Sequence, residues 1–297
     1  MTTKLSSVVP NAVSALTVRE YLKRAYPMLG SGRTARLINA RQFRINGEKQ
    51  QPDARVNGGD EVILYADCEY DFSLDIIFDD GRLAAFVKPA GLPVDADNLG
   101  IGDDTALSRL KLINTEARLV HRLDAQTSGV MLAAYDDDTE RMLTNAFKQH
   151  LLQKMYYALC AGRFSKKAGG IVSYISKDNN ASRVSVSDRD NGNGLKARSA
   201  YRVVKEYDKN GITLALLEVT IETGRTHQIR AQLSHIGHPI IGDEKYGNYG
   251  ANKTLGMQER CLASREIRFA DDKTLGTYAG KCFICPKEKI KWLTAVT

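Results

Sequence analysis

Near the middle of the chain stands the stretch His121-Arg122-Leu123-Asp124-Ala125-Gln126-Thr127-Ser128-Gly129, followed at once by Val130-Met131-Leu132-Ala133-Ala134. The second, apolar stretch is typical of a buried strand, and the Thr-Ser-Gly turn places Asp124 at its entrance. A carboxylate is seldom buried unless a cation pairs with it. An isolated aspartate most often caps a turn, but this arrangement favours a catalytic acid held in a cleft.

Size and composition set the first limits. A chain of 297 residues predicts two domains, and a net charge of +7 favours an anionic partner such as nucleic acid. No apolar stretch approaches the ~20 residues that cross a membrane, and the N-terminus lacks the apolar core of a secretory signal. The five cysteines are irregularly spaced, which predicts no disulfide framework and a reducing, cytoplasmic location. Cys282 and Cys285 have the spacing of half a zinc-ribbon site without a second pair, so we expect no metal.

The first predicted domain covers residues 15–66, after a disordered leader over residues 1–14. Thr17 and Glu20 have the spacing of a capping box and predict that a helix begins there. Asn46-Gly47 predicts a hairpin turn. The helical part is strongly basic, and Glu20 is the acidic residue among its cations. One sign of charge over two helices favours phosphate binding, and our candidates for this contact are Lys23, Arg33, Arg36 and Arg44.

The second predicted domain covers residues 72–297. Its patterns predict a hairpin over 74–78 and 83–87, helices over 105–113, 138–152 and 226–236, and strands over 155–160, 200–206 and 212–221. A Gly/Asn-rich stretch that includes Asn191-Gly192-Asn193-Gly194 predicts a mobile loop. Because strands cluster and helices are few, we expect an α+β fold with a mixed, mainly antiparallel sheet.

Besides Asp124, two segments carry polar groups that the fold pattern does not require. Tyr156 lies on a predicted strand, and Arg225 follows Gly224 just before a predicted helix. A buried carboxylate needs a cation to stay ionised, and Arg225 is the natural candidate. A tyrosine beside such a pair offers a flat ring for a nucleobase and a hydroxyl for proton chemistry.

Several motifs in a fixed order now point to one family. The segment from His121 to Gly129 closely resembles the catalytic motif of the RluA family of pseudouridine synthases, and Lys154-Met155-Tyr156 is similar to its second motif. Further similar segments are Lys88-Pro89-Ala90-Gly91, Glu218-Val219, Thr223-Gly224-Arg225-Thr226-His227-Gln228-Ile229-Arg230 and Gly242-Asp243-Glu244-Lys245-Tyr246-Gly247. The resemblance covers residues 72–295. Residues 15–65 resemble the S4-like domain, a small RNA-binding module named after ribosomal protein S4. The tail departs from the family, with Leu262-Ala263-Ser264 where Leu-His-Ala is usual.

The resemblance implies the pseudouridine synthase fold and isomerisation of uridine within RNA, without cofactor or metal. Asp124 would be the essential carboxylate, either as a nucleophile or as a base at the 2′ position. Tyr156 would stack on the target base, and Arg225 would hold and ionise Asp124. Arg122 would fill the place that the flipped base leaves, and Lys154 would contact RNA.

Two other functions fit the same residues. A glycoside hydrolase would also use Asp124, but such enzymes usually need a second carboxylate in a comparably distinctive setting. A non-catalytic RNA-binding or ribosome-assembly protein on the same fold is the second alternative. For the enzyme we expect a monomer that acts on large-subunit ribosomal RNA, with transfer RNA as the runner-up.

Overall fold

The structure is a computed structural model that describes residues 2–177, 183–190, 192–257 and 259–294. The described chain divides into two compact units. The first comprises Met1–Asp75 together with Gly91–Ala117, and the second comprises Ile76–Ala90 and Arg118–Thr297. Within the described ranges, no helix is long and apolar enough to cross a membrane.

Helices and short strands make up the first unit. They are β1 (Thr3–Val8), β2 (Leu16–Thr17), α1 (Val18–Ala25), α2 (Ser31–Asn39), β3 (Phe43–Ile45), β4 (Glu48–Lys49), β5 (Arg55–Val56), β6 (Glu61–Ala66) and α3 (Ala106–Lys111). One sheet has the order β1-β6-β3-β4, and β2 pairs with β5. The apolar sides of α1 and α2 pack with the sheet in one core, which includes Tyr21, Leu22, Ile38, Phe43 and Leu64.

Both local signals in this unit are confirmed. The Thr17 side chain accepts from the Glu20 amide and the Glu20 carboxylate accepts from the Thr17 amide, so the capping box begins α1 as predicted. Asn46 and Gly47 have φ values of 51° and 82°, the left-handed pair that a two-residue hairpin between β3 and β4 requires.

The prediction of a disordered leader is wrong. Residues 3–8 form β1, which pairs along its whole length with β6, from Thr3 opposite Ala66 to Val8 opposite Glu61. Leu5 and Ser7 point into the unit, and the Ser7 hydroxyl accepts from the Tyr21 hydroxyl at 2.9 Å. Because a small polar residue takes an inward position, the alternation of apolar residues that marks a strand is missing from the sequence.

The predicted domain boundaries also differ from the observed units, because residues 91–117 pack with the N-terminal residues. Arg109 binds the buried carboxylate of Asp104 through Nε at 2.6 Å and Nη2 at 3.0 Å, and its Nη1 donates to the Ser73 carbonyl at 3.0 Å. The Tyr70 hydroxyl also donates to Asp104. The bonds from this ion pair to Ser73 and Tyr70 join segments more than 30 residues apart in sequence, which a division by sequence position cannot anticipate.

A large sheet forms the second unit. Its strands are β7 (Asp75–Asp79), β8 (Leu83–Lys88), β9 (Arg118–Leu119), β10 (Ser128–Ala134), β11 (Leu152–Ala161), β12 (Ala168–Lys177), β13 (Val184–Ser187), β14 (Leu195–Lys209), β15 (Ile212–Ile221), β16 (Leu262–Phe269) and β17 (Cys282–Ile284). The helices are α4 (Asp137–Lys148), α5 (Gln228–His235), α6 (Tyr249–Leu255) and α7 (Lys291–Thr294), with 3-10 turns at Pro27–Leu29 in the first unit and at Lys273–Tyr278 and Lys287–Lys289 here.

The sheet runs in the order β13-β12-β14-β15-β11-β16-β10-β8-β7, with β17 against β16 and β9 against β10. Pairing is antiparallel except between β10 and β16, so the predicted α+β class with a mixed, mainly antiparallel sheet is confirmed. The predicted helices and strands all occur, with ends shifted by a few residues. The predicted loop at 191–194 lies between β13 and β14, and Asn191 lies outside the described residues.

Gly129 makes the parallel pairing possible. It lies opposite Ser264 with φ of 117°, and a Cβ there would come within 2.1 Å of the Ser264 carbonyl oxygen. A side chain would therefore force β10 and β16 apart. This close approach puts the turn before β10 beside the start of β16, and the turn carries Asp124.

Candidate active site

A cleft of about 530 Å³ opens at the Asp124 turn. Most of its lining comes from three places: the segment His121–Asp124, strand β11 at Lys154 and Tyr156, and the stretch from Gly224 to Arg230 that leads into α5. The cleft therefore gathers the residues of the three motifs that sequence analysis singled out.

The turn that carries Asp124 is held at both ends. The Thr127 amide donates to the Asp124 carbonyl at 3.0 Å and closes the turn. The His121 Nε2 atom accepts from the Leu132 amide at 2.9 Å, and the imidazole packs on Phe147. Burial lowers the pKa of His121 to about 3, so this imidazole is neutral and serves as a fixed acceptor.

Asp124 contacts two arginines. Its Oδ2 atom lies 2.6 Å from Nη1 of Arg230 and 3.2 Å from Nη1 of Arg260. The carboxylate is 31% exposed, whereas the two arginine side chains are 2% and 3% exposed. Asp124 therefore faces the cleft from a buried cationic support, and charge-assisted bonds of this kind are stronger than bonds between neutral groups.

The predicted partner of Asp124 is corrected by this geometry. Arg225 lies on the exposed segment before α5, and its Nε donates to the Lys196 carbonyl at 3.2 Å. Arg230 is on the first turn of α5, where residues 228–233 are all buried. A helix start buried against the sheet aims Arg230 inward, whereas the preceding loop leaves Arg225 at the surface.

Arg230 and Arg260 are themselves held by carboxylates. Arg230 binds fully buried Asp243 through Nε at 2.6 Å and Nη2 at 3.0 Å, and Arg260 binds Glu244 through Nη2 at 2.7 and 3.0 Å. The Asp243 carboxylate lowers the cost of burying the Arg230 guanidinium, and it raises the pKa of Arg230. Both arginines bond to Oδ2 of Asp124, which leaves its Oδ1 atom for a ligand in the cleft.

The segment that supplies Asp243 is shaped by its glycines. A Cβ at Gly242 would lie 1.9 Å from the Glu259 carbonyl oxygen, and one at Gly247 would lie 2.1 Å from the Asp243 carbonyl oxygen. The Asp243 carboxylate also accepts from the amides of Lys245 and Tyr246 at 2.8 and 2.9 Å. The turn therefore closes around Asp243 and fixes it for Arg230.

Tyr156 forms the wall next to Asp124. The β11–β16 register shifts between Met155 and Tyr156, so the tyrosine lies at a bulge, where a strand can re-aim a side chain. Its side chain is buried, and burial together with the nearby Asp124 charge raises the pKa of Tyr156 well above its usual value. The phenol is therefore neutral and presents its ring beside the carboxylate.

His227 stands on the other side of Asp124, with Nε2 at 3.8 Å from Oδ2. The Tyr246 oxygen accepts from the Val184 amide at 2.7 Å and lies 3.0 Å from His227 Nδ1. A Tyr246 hydroxyl that donates to Nδ1 leaves the imidazole hydrogen on Nε2, on the Asp124 side. Burial lowers the pKa of His227, which favours this neutral form.

Lys88 lies fully buried behind the turn, where its Nζ donates to the carbonyls of Ala125 at 2.8 Å and Pro89 at 3.0 Å. Burial lowers the pKa of Lys88 to about 7, although the Asp124 charge acts in the opposite direction. The early loop that begins at Lys88 thus contributes a main-chain anchor for the Asp124 turn.

Comparison with known proteins identifies the family. Residues 82–235 match the model for RNA pseudouridylate synthase, which covers more than half of the chain. The chain belongs to this family.

Other members give the similarity over longer ranges. The ribosomal large subunit pseudouridine synthase C of Rickettsia conorii is 35% identical, over 83% of this chain and 88% of the relative. The ribosomal large subunit pseudouridine synthase D of Yersinia pestis is 30% identical, over 82% and 77%. The solved human RNA pseudouridylate synthase domain containing 1 is 19% identical with a TM-score of 0.59, over 77% of this chain and 98% of that one. The last match shows the fold alone, and it agrees with the predicted fold.

The remaining predicted contact residues of this synthase have different settings. Arg122 is exposed at the cleft wall. Lys154 is partly buried, with Nζ 5.4 Å from the centre of the Phe147 ring, and burial lowers its pKa. Both therefore line the cleft with Asp124 and Tyr156, which is the grouping that the motifs predicted.

The basic face of the N-terminal unit is less positive than the sequence indicates. Asp67 lies 3.7 Å from Nε of Arg33 and 2.6 Å from Nη2 of Arg36. Arg44 donates to the Gly47 carbonyl at 2.8 Å, and Lys23 is exposed. These pairs are solvent-exposed and therefore weak, so the cations remain able to exchange Asp67 for a phosphate.

Sequence reasoning missed the roles of Arg230, Arg260 and Asp243. A usable signal was present for Arg230, because it stands between Ile229 and Ala231 in a helix that is apolar on the predicted buried side. A guanidinium in such a position requires a buried carboxylate. No comparable local signal marks Arg260. It meets Asp124 because it lies just before β16, which pairs with β10. Within the described ranges, no group of three or more His, Cys, Asp or Glu has the arrangement of a metal site.

Proposed function

We propose that this synthase converts uridine to pseudouridine in large-subunit ribosomal RNA. The observation that carries the proposal is Asp124, a carboxylate held by buried Arg230 and Arg260 while it faces an open cleft beside Tyr156. The names of the relatives support ribosomal RNA as the substrate, and transfer RNA is the alternative.

The reaction rearranges bonds without changing the atoms of the nucleotide. The N1–C1′ bond breaks, the base turns, and a C5–C1′ bond forms; the proton on C5 leaves to solvent and N1 gains a proton. Asp124 acts on the sugar, either by attack at C1′ or by removing the 2′ proton. Both routes use the carboxylate of Asp124, which the two arginines hold in the cleft.

Tyr156 fits the part of the base-stacking residue. Its ring is beside Asp124 and its phenol stays protonated, because burial raises its pKa. A flat, neutral ring holds the uracil plane while the base turns, since stacking does not depend on which edge faces the sugar.

Arg122 fits the part of the residue that replaces the flipped base. It is exposed at the mouth of the cleft, two residues before Asp124. Flipping costs a few kcal/mol, and a planar cation that stacks in the vacated place offsets part of this cost.

We assign RNA binding to the N-terminal unit as an S4-like domain, with Arg33 and Arg36 as phosphate contacts. Replacing both with Glu should weaken RNA binding and make its dependence on salt shallower by about 1.4–1.8 in the log–log slope if two phosphate contacts are lost. Asp67→Asn provides the opposite test, because it frees both arginines and should strengthen binding. An unchanged salt slope in the double variant would remove this role.

The decisive experiment compares wild type with Asp124→Asn on ribosomal RNA from a strain that lacks the gene. Wild type should restore pseudouridine at specific uridines, and Asp124→Asn should restore none while binding the same RNA. The variant keeps the size of the side chain, so folding can be checked by its thermal midpoint. If wild type forms pseudouridine only in transfer RNA, the substrate proposal fails; if it forms none in any RNA, a binding or assembly role replaces the enzyme.

A further inference from the structure

A second groove, of about 580 Å³, lies on strands β11, β14 and β15. Its cationic side chains are Lys196 and Arg198 on β14 and Arg225 beyond β15, and Glu222 is the acidic one. His150 and Gln153 complete its polar wall. We define these lining residues as the basic groove.

The alternation of β14 explains why the cations are exposed. Lys196, Arg198 and Ala200 point to solvent, whereas Ala197 and Ser199 are buried. On the buried side, the Ser199 hydroxyl donates to Gln232 of α5 at 2.6 Å. The cations therefore occupy the face of the sheet opposite α5, where they have no packing role.

The charges of the basic groove are mostly uncompensated. Arg198 lies 3.5 Å from Glu222, but the two side chains are 50% and 69% exposed, so the pair is weak. In the described part of the chain, Lys196 and Arg225 have no carboxylate at ion-pair distance. Adjacent cations that do not contribute to folding and repel one another fit a surface whose partner is an anion.

The groove continues the active-site cleft. Ile221 and Arg225 line both cavities, and the bond from Arg225 Nε to the Lys196 carbonyl ties the shared corner to β14. A ligand that leaves the cleft past Arg225 therefore reaches Lys196 and Arg198 next. Arg225, which sequence analysis predicted as the partner of Asp124, therefore lies where the cleft and the groove meet.

We propose that the basic groove binds backbone phosphates of the RNA strand that adjoins the target uridine. This inference rests on the proposed function, because it takes the cleft as the place of the flipped nucleotide. Phosphates are the favoured ligand because the groove offers one exposed ammonium and two guanidinium groups but no phenyl, phenol or indole ring for base stacking.

The test uses the full-length protein with Lys196→Glu and Arg198→Glu combined. The matched control combines Lys205→Glu and Lys209→Glu, which reverse the same number of charges on the same strand outside the groove. Dissociation constants are measured over a range of salt with an RNA hairpin that contains the target uridine and its flanking strands, and with a hairpin trimmed of those flanks.

We expect the groove variant to bind the long RNA roughly tenfold more weakly at low salt, with a log–log salt slope shallower by about 1.4–1.8 for two lost phosphate contacts. The trimmed RNA should bind the groove variant and wild type equally. Single-turnover pseudouridine formation at saturating RNA should be unchanged, because neither residue contacts the reacting nucleotide. The same loss in the control variant, or a loss that persists on trimmed RNA, would overturn the proposal.

Two further readouts keep the test interpretable. If the charge reversals lower the thermal midpoint, Lys196→Gln with Arg198→Gln replaces them and should give a similar change in slope, because the same two phosphate contacts are lost. RNA binding is measured independently of pseudouridine formation, so failure of the groove proposal and failure of the proposed function give different results. If wild type makes no pseudouridine but the groove variant binds RNA more weakly than wild type, the proposed function is rejected and the groove proposal stands. If wild type is active and the salt slope of the groove variant is unchanged, the groove proposal alone is rejected.

Discussion

Replacing Arg230 should cost far more stability and activity than replacing Arg225, although both arginines belong to one motif. Arg230 is 2% exposed and binds Asp124 at 2.6 Å and buried Asp243 at 2.6 and 3.0 Å. Arg225 is exposed, and among the described residues its side chain makes one hydrogen bond, to a main-chain carbonyl. The comparison of Arg230→Met with Arg225→Met therefore tests which guanidinium supports the carboxylate.

The cost to stability follows from burial. Removing one partner of a buried ion pair costs about 3–5 kcal/mol. Asp124 is partly exposed, and Nε of Arg260 lies 3.6 Å from Asp243, so part of the lost charge is compensated. We therefore expect Arg230→Met to destabilise the fold by about 3 kcal/mol and Arg225→Met by less than about 1 kcal/mol.

The cost to the reaction is a separate quantity. A hydrogen bond to a charged group contributes about 1.5–3 kcal/mol, which corresponds to roughly a 10- to 150-fold slower single turnover for Arg230→Met. Arg225→Met should stay within about threefold of wild type at saturating RNA, since roughly 0.6 kcal/mol or less is lost.

The assay is release of the C5 proton from tritiated uridine in RNA, at a temperature where urea titration shows both variants folded. Arg230→Lys serves as the intermediate case, because a point charge cannot bind two carboxylates as a guanidinium does. If Arg225→Met loses the reaction while Arg230→Met keeps it, the support of Asp124 described above is refuted.

Three more predictions follow from the same region. Burial lowers the pKa of Lys88 from 10.5 to about 7, so above pH 7 the unfolded chain binds one more proton than the folded chain. The unfolding free energy of wild type, relative to that of Lys88→Met, should therefore increase with pH, by up to about 1.4 kcal/mol per pH unit between about pH 7 and 10. A difference between the two proteins that does not change with pH in urea titrations would contradict this. Tyr246→Phe removes the hydroxyl that lies beside His227 Nδ1. If that hydroxyl donates to Nδ1, we expect roughly fivefold slower single turnover together with a changed imidazole tautomer by nitrogen NMR. An unchanged tautomer would show that the hydroxyl does not donate to His227. Gly129→Ala should lower stability by about 2–5 kcal/mol because its Cβ meets the β16 carbonyl, whereas Gly81→Ala, with a positive φ but open space, should cost about 1 kcal/mol; equal thermal midpoints would show that the close approach is unimportant.

Local signals were read well from the sequence. The capping box at Thr17 and Glu20 and the hairpin at Asn46-Gly47 are confirmed, because each depends on residues within one turn of chain. The strands that become β11, β14 and β15 and the helix that becomes α5 were also predicted, since their apolar periodicity reflects burial in one large sheet, whereas β12 was not predicted.

Contacts between distant segments were not predictable in the same way. Residues 3–8 carry too few apolar residues to mark a strand, and they become one because β6 offers a free edge. Residues 91–117 pack with the N-terminal residues because the buried Asp104–Arg109 pair bonds to Tyr70 and Ser73, contacts that no spacing reveals.

The sequence by itself determined the family, the α+β class and the carboxylate Asp124 at the entrance to β10, because motif order and strand patterns are local properties of the chain. Only the tertiary structure decided which cations support that carboxylate. Arg230 and Arg260 are 106 and 136 residues away in sequence, and they meet Asp124 because burial at the start of α5 and the parallel pairing of β10 with β16 leave their guanidinium groups no direction except inward.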